Sequence, residues 1–161
     1  LAFAIPPGAP YAVGAARQAS WDGKAVLVLL DPAEELLDQS RAWTEAAGVV
    51  LPGEPREGEA LGPWLAELAS RDLVLVDGRE RGDPALRRLA EAAGVRVLRV
   101  AATLGEPNAP SMAWNLALRR GYGVVLARPE DLGALEAFVE ASREDGYPLV
   151  LLHELRAPAG R

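Results

Sequence analysis

Cysteine is absent from this chain. Disulfides, thiol nucleophiles and thiolate metal sites are therefore excluded together. Histidine occurs once, as His153. With no second His, and no Ser spaced to build a triad around it, a hydrogen-bonded structural role in the last strand is the expected one. Basic charge is also short: 17 Lys and Arg against 23 Asp and Glu give a net charge of −6, so the electrostatic footprint of a nucleic-acid binder is missing. No apolar run approaches the length of about 18 residues that spans a bilayer, and no charged segment precedes a signal-like core. The expectation is a cytoplasmic protein with no membrane and no nucleic-acid partner. Asn, Gln, Cys and Met are few beside abundant Arg, Glu, Leu and Ala, a balance compatible with a thermophile. The sequence starts at Leu1 rather than Met, which is compatible with a trimmed product or a fragment.

What is present is a repeated strand and helix grammar. Half of the 161 residues are hydrophobic, enough for one domain, residues 1–161, with a real core. The clearest unit is RDLVLVDGRERGDPALRRLAEAAGVRVLRV, residues 71–100. Residues 73–76 are a continuous apolar run too short for a helix, as in a strand covered on both faces. Asp77 and Gly78 end it. Asp83 offers an N-cap carboxylate and Pro84 takes the first helical position, where its missing N–H costs nothing. Leu86, Leu89, Ala90 and Ala93 recur at helical spacing as the apolar face, and Gly94 stops the helix.

The same grammar predicts strands at 1–5, 25–30, 49–51, 122–127 and 148–155. Helices are expected at 11–21, where Ala12, Ala15, Ala16 and Ala19 permit close packing, from 31 to 47, from 61 to 70, at 111–120 and at 130–143. Asp31, Pro32 and Glu34 read as a near capping box for the second of these. The segment AATLGEPNAP, residues 101–110, reads as the longest loop and so as a place for function. Strand starts recur at intervals of about 24 residues, the period of a βα unit. The predicted fold is α/β: a three-layer α/β/α, Rossmann-like arrangement with a mostly parallel central sheet of six or seven strands.

Such sheets bind ligands beyond the carboxyl ends of their strands, near a switch in strand order. That places Asp31, residues 53–59, 77–83 and 103–111, and residues 128–130 on the candidate rim. Each group has a plain structural role as well. Asp31 and Asp83 suit helix caps, Asp77 suits a turn, and Trp64 and Trp114 suit a core. Glu54, Glu57 and Glu59 cluster before a helix, where the dipole favours carboxylates. The turn VDGRERGDP lacks both the dinucleotide glycine pattern and the Walker lysine.

From Glu54 onward, EGEALGPWLAEL, DLVLVDGRERGDPALRRLAEAAG, VRVLRVAATLGEPNAPSMAWNLALRRG and GYGVVLARPEDLGALEAFVEASREDGYPLVLLHE resemble, in order of elements, the pyrimidine-binding domain of thiamine-diphosphate enzymes, especially the 2-oxoacid:ferredoxin oxidoreductases. The resemblance implies that Glu59 matches the family glutamate, which hydrogen-bonds the aminopyrimidine and promotes ylide formation, with Glu57 as fallback. It implies a cofactor-binding set of Glu57, Asp77, Gly78, Asn108 and Ser111, with thiamine diphosphate as the cofactor. The charged VDGRERGDP replaces the family's small-residue turn, and the diphosphate and Mg²⁺ motif is absent. A partner subunit or a homodimer would then complete the site around a small-molecule ligand.

A second likeness, carried by IPPGAP, VLVLLDP and ALGPWLAELASRDLVLVDGRERGDPALRRL, with EDGYPL standing for the acidic base motif, is to inverting family-2 glycosyltransferases. It implies Asp31 near a nucleotide base, Asp77 at the metal-binding D-x-D motif and Glu144 or Asp145 as general base, with Arg79 standing where the second Asp belongs. The third expectation is a non-enzymatic interaction or regulatory domain, favoured by the lack of a convergent His, Ser, Lys or metal cluster and by the Arg-rich turns.

Overall fold

The computed structural model describes residues 2–5, 25–44, 46–79, 83–127 and 129–147. The helix expected at 11–21, the strand expected at 148–155 with His153, and position 128 of the rim lie outside them. The chain divides into two compact units, Leu1–Leu98 and Arg99–Arg161.

The first unit is built from β1 (Ala2–Ile5), β2 (Ala25–Leu29), β3 (Gly48–Leu51) and β4 (Val74–Asp77), with α1 (Leu36–Arg41), α2 (Leu61–Ser70) and α3 (Pro84–Ala92) between and after them. The strands pair in parallel and in the order of the sequence, β1 with β2, β2 with β3, β3 with β4. Leu75 N–H then donates to Arg96 O at 2.9 Å, carrying the sheet to the entry of β5 (Val97–Thr103). The α/β class and the parallel sheet stand as expected.

In this unit the helices that follow β2, β3 and β4 pack on one face of the sheet. Val26, Val28, Leu30, Val49, Leu51, Leu73 and Leu75 alternate along their strands onto one face, and that face shares a single core with Leu36 of α1, Trp64, Leu65 and Leu68 of α2, and Leu86 and Ala90 of α3. All three helices therefore cover the same side. The cause is handedness: crossovers of one hand between successive neighbouring strands always return on the same side, and only a reversal of strand order sends helices to the other. The opposite face, Leu27, Val50, Val74 and Val76, is buried as well.

Local chemistry explains most element ends. Asp83 Oδ1 accepts from Ala85 N–H at 2.7 Å, and Pro84 opens α3, as the sequence predicts. Leu86 and Ala90 are buried but Leu89 is 52 % exposed, so the apolar stripe of α3 is narrower than its spacing implies. Gly94 takes φ +83 and stops the helix, a conformation only glycine adopts cheaply.

The predicted helix from 31 to 47 shrinks to α1, which starts at Leu36. Asp31 does not cap it. Its Oδ1 accepts from Ala33 N–H at 2.9 Å in a local turn, while its backbone N–H donates to Gln39 Oε1 at 2.8 Å and its carbonyl accepts from Gln39 Nε2 at 2.9 Å. A side chain that satisfies its own neighbourhood competes with helix initiation. Helices α1 and α2 are then tied through the interior: Ser40 Oγ donates to Leu36 O at 2.8 Å and accepts from Trp64 Nε1 at 3.0 Å. Arg71 Nη1 donates to Ser40 O at 2.7 Å, and its Nη2 donates to Trp43 O.

The second unit holds most of β5, α4 (Ala109–Arg120), β6 (Val124–Leu126), a 3-10 turn (Pro129–Asp131) and α5 (Leu132–Glu144). β5 and β6 are parallel, with an irregularity between Val100 and Ala102. The stretch expected to be the longest loop is mostly structured: residues 101–103 continue β5, and α4 starts at Ala109, which leaves only residues 104–108 between them. Ala102, Leu104 and Ala109 form the buried centre, with Val125, Leu135 and Phe138 against it. Trp114 lies between Phe138 and Tyr147, with ring centroids at 6.4 and 6.3 Å. It is part of that packing, as its helical spacing predicts.

Candidate functional site

Because β2, β3 and β4 are parallel, their carboxyl ends share one edge, and Asp31, residues 53–59 and residues 77–79 meet there. Asp77 ends β4 and is buried. In register with Leu51, it points to the helix-covered side. A buried carboxylate needs partners, and Arg79 supplies them two residues on. Arg79 Nε lies 2.7 Å from Asp77 Oδ1 and Nη2 lies 3.0 Å from Oδ2, a fork-on-fork pair. The backbone N–H of Arg79 adds a bond to Oδ1 at 3.2 Å, and that of Asp83 reaches Oδ2 at 3.4 Å.

The other edge of the guanidinium faces the rim. Arg79 Nη1 donates to Glu54 Oε2 at 2.7 Å and lies 3.6 Å from Asp83 Oδ2. Three carboxylates thus surround one guanidinium, leaving two net negative charges. Burial alone would lower the Arg79 pKa, but the hydrogen bonds and charge of Asp77, then those of Glu54, outweigh it and hold the group above its ordinary value. Asp83 is held below the usual carboxylate range, chiefly by the N–H of Ala85, with a smaller contribution from the charge of Arg79. Gly78 lets the ends of β3 and β4 approach: its N–H donates to Leu51 O at 3.0 Å, and a Cβ there would lie 3.2 Å from that oxygen.

Glu59 is 4 % exposed at its side chain and is fully engaged. Its Oε1 accepts from Leu36 N–H at 3.2 Å, so it serves α1 as the cap that Asp31 does not provide. Its Oε2 accepts from Arg56 Nε at 2.7 Å. Glu57 is exposed on the turn before it. Asn108 and Ser111 belong to the second unit, where Asn108 stands at the N-terminal boundary of α4 without a side-chain cap bond and Ser111 is exposed in its first turn. The first unit brings together Asp77, Gly78 and Glu54; Glu59 sits further along the same loop.

The residue that sequence reasoning passed over is Arg79, noted only as a departure from an acidic motif. Its signal was the D-x-R spacing at a strand end, which lets a guanidinium fold back on the carboxylate two positions earlier. Among the described residues no group of three or more His, Asp and Glu is placed to hold a metal ion, and no helix is long and apolar enough to cross a membrane.

No family model matches the sequence, and no curated protein matches it. Among solved structures, an uncharacterized protein from Agrobacterium tumefaciens C58 superposes with a TM-score of 0.74 over 97 % of this chain and 78 % of its own length, at 15 % identity. The likeness is one of fold.

Proposed function

We propose that this chain is a non-catalytic α/β interaction domain whose binding edge is the C-terminal rim of β2, β3 and β4. One observation carries the reading: the carboxylates that either enzymatic likeness would put to work on this rim are already committed within the chain. Asp77, the position of a metal-binding carboxylate in the glycosyltransferase likeness, has both oxygens on the Arg79 fork, so a guanidinium stands where the cation would. Glu59, the aminopyrimidine partner in the thiamine likeness, has one oxygen on Leu36 N–H and the other on Arg56. Recruiting either group for chemistry strands a buried donor, at a cost of about 1–3 kcal/mol for a neutral one and more for a charged one.

The rim keeps a negative excess around Arg79, which suits a partner or ligand with basic groups. A partner subunit or a second copy of the chain, a cytoplasmic setting and continuation of the sheet to six or seven strands belong to the same proposal.

Thermal unfolding of the whole chain tests it. Neither thiamine diphosphate with Mg²⁺ nor UDP-glucose with Mn²⁺ is expected to raise the melting temperature, whereas a ligand that binds, present at 100 times its Kd, would add about 2.7 kcal/mol. A saturable shift with thiamine diphosphate that vanishes in Glu59→Gln overturns the reading in favour of the pyrimidine-binding one. A shift with UDP-glucose and Mn²⁺ that vanishes in Asp77→Asn overturns it in favour of the glycosyltransferase one.

A further inference from the structure

Residues 53–59 leave the end of β3 and are tied to both neighbouring strand ends by bonds of unequal kinds. On the β2 side the ties are internal: Arg56 N–H donates to Pro32 O at 3.0 Å, and Leu36 N–H donates at 3.2 Å to the Glu59 carboxylate, which is almost wholly buried. On the β4 side the tie among the described residues is the bond from Arg79 Nη1 to Glu54 Oε2 at 2.7 Å. Its two ends differ sharply: the Arg79 side chain is 5 % exposed and that of Glu54 is 74 % exposed. Pro52 and Pro55 flank the Glu54 position and stiffen the crossing.

We propose that residues 53–59 are a strap across the rim, hinged at Glu59 and latched at the other end by Glu54 on Arg79, so that opening lifts Arg56 N–H off Pro32 O. Opening it uncovers the Asp77 end of β4. This regulates the binding edge assigned above and rests on that assignment for its purpose, though not for its mechanics.

The energetics favour opening at the latch. When Glu54 leaves, Arg79 keeps both oxygens of Asp77, so no buried charge is stranded, which is the event that makes breaking a buried pair expensive. What is lost is the Glu54 bond, whose acceptor already faces water and salt, the kind of ion pair that contributes little and is screened, together with the Arg56 N–H to Pro32 O bond, which water replaces. The hinge end has no such exit, since releasing Glu59 leaves the first N–H of α1 without its acceptor.

Amide hydrogen exchange on the whole chain, read residue by residue by NMR, tests this in the wild type and in Glu54→Gln. The variant is expected to exchange at Arg56 about fivefold faster than the wild type at low salt, the upper range for an exposed ion pair. Leu30 and Leu75, whose N–H groups bond within the sheet, keep their wild-type rates. Raising NaCl to 0.5 M is expected to accelerate Arg56 in the wild type and to leave the variant unchanged. An Arg56 rate that ignores the substitution, a wild type that ignores salt, or equal acceleration at Leu30 and Leu75 overturns the strap. A thermal response to thiamine diphosphate would instead overturn the functional reading and leave this result untouched.

Discussion

Arg79 grips both carboxylate oxygens of Asp77 from two residues away, Nε at 2.7 Å and Nη2 at 3.0 Å, with both side chains buried at the end of β4. A charge pair of this kind is expensive to form and more expensive to halve. Replacing Asp77 by Asn leaves the guanidinium inside with Glu54 as its nearest full charge. We expect the variant to lose about 3 kcal/mol in urea unfolding, in line with removal of one partner of a buried pair. Replacing both residues together, Asp77→Leu with Arg79→Met, is expected to lose less than the single change. A double variant worse than the single would show that the pair, and not the stranded charge, carries the stability.

Glu59 caps a helix whose first residue lies 23 positions earlier in the chain. Glu59→Ala removes the acceptor of Leu36 N–H and the partner of Arg56 at one stroke. The expected loss is about 1–2 kcal/mol, the upper range for a helix cap, read as a lower urea midpoint at unchanged slope. Glu59→Gln keeps an acceptor oxygen and loses only the charge, so it should fall between the wild type and the alanine variant. Equal midpoints for all three proteins would contradict the capping role.

These two sites also show what a sequence reveals and what it hides. The strands at 25–30, 49–51 and 73–76, the Asp83 and Pro84 helix start and the Gly94 stop were legible because each is decided by neighbours within a few positions. The helix-covered face, the sequential strand order and the cap on α1 were not, because they depend on partners far away in the chain. Asp31, Pro32 and Glu34 carry a good capping pattern, yet Asp31 spends its oxygen on Ala33 and its backbone on Gln39. The 101–110 segment misled in the opposite direction. Its Gly and Pro suggested a long loop, but β-sheet pairing with β6 drew Ala102 and Thr103 into a strand. For the site, Asp77, Gly78 and Glu54 were legible as a rim from topology alone. The pairing that sets their chemistry was not, since it depends on a side chain, Arg79, whose fold-back is a tertiary event.

Asp83 supplies the pH dependence. Its pKa is depressed in the folded chain, mainly by the Ala85 N–H that it accepts. A depressed carboxylate stabilises the fold at pH values above its unfolded pKa of about 3.9, and that contribution disappears as pH falls through the lower folded value. Asp83→Asn retains a cap oxygen that does not titrate. The stability advantage of the wild type over this variant should therefore be constant near neutrality and shrink as the solution is taken below the ordinary carboxylate range. An advantage that instead grew with acid would reverse the assigned sign.

Gly48 opens β3 with no room for a side chain. A Cβ there would sit 2.4 Å from Val74 O and 3.1 Å from a methyl of Leu27. The methyl could turn aside, but the carbonyl belongs to the neighbouring strand and is fixed by the ladder that pairs Gly48 with Val74. Gly48→Ala must therefore push β3 and β4 apart at their first pair, which loosens Val49 and Leu75 in the core behind them. Overpacking of this kind costs about 1–3 kcal/mol and sits at the upper end where backbone is the obstacle. The effect should register as a lower urea midpoint and as faster amide exchange at Leu75. Gly62 and Gly133 have open space where a Cβ would go, so alanine at those two helical positions should be neutral or stabilising by a few tenths to about 1 kcal/mol. A Gly48→Ala protein as stable as those two would mean that the β3 and β4 backbones do not approach as closely as this register requires.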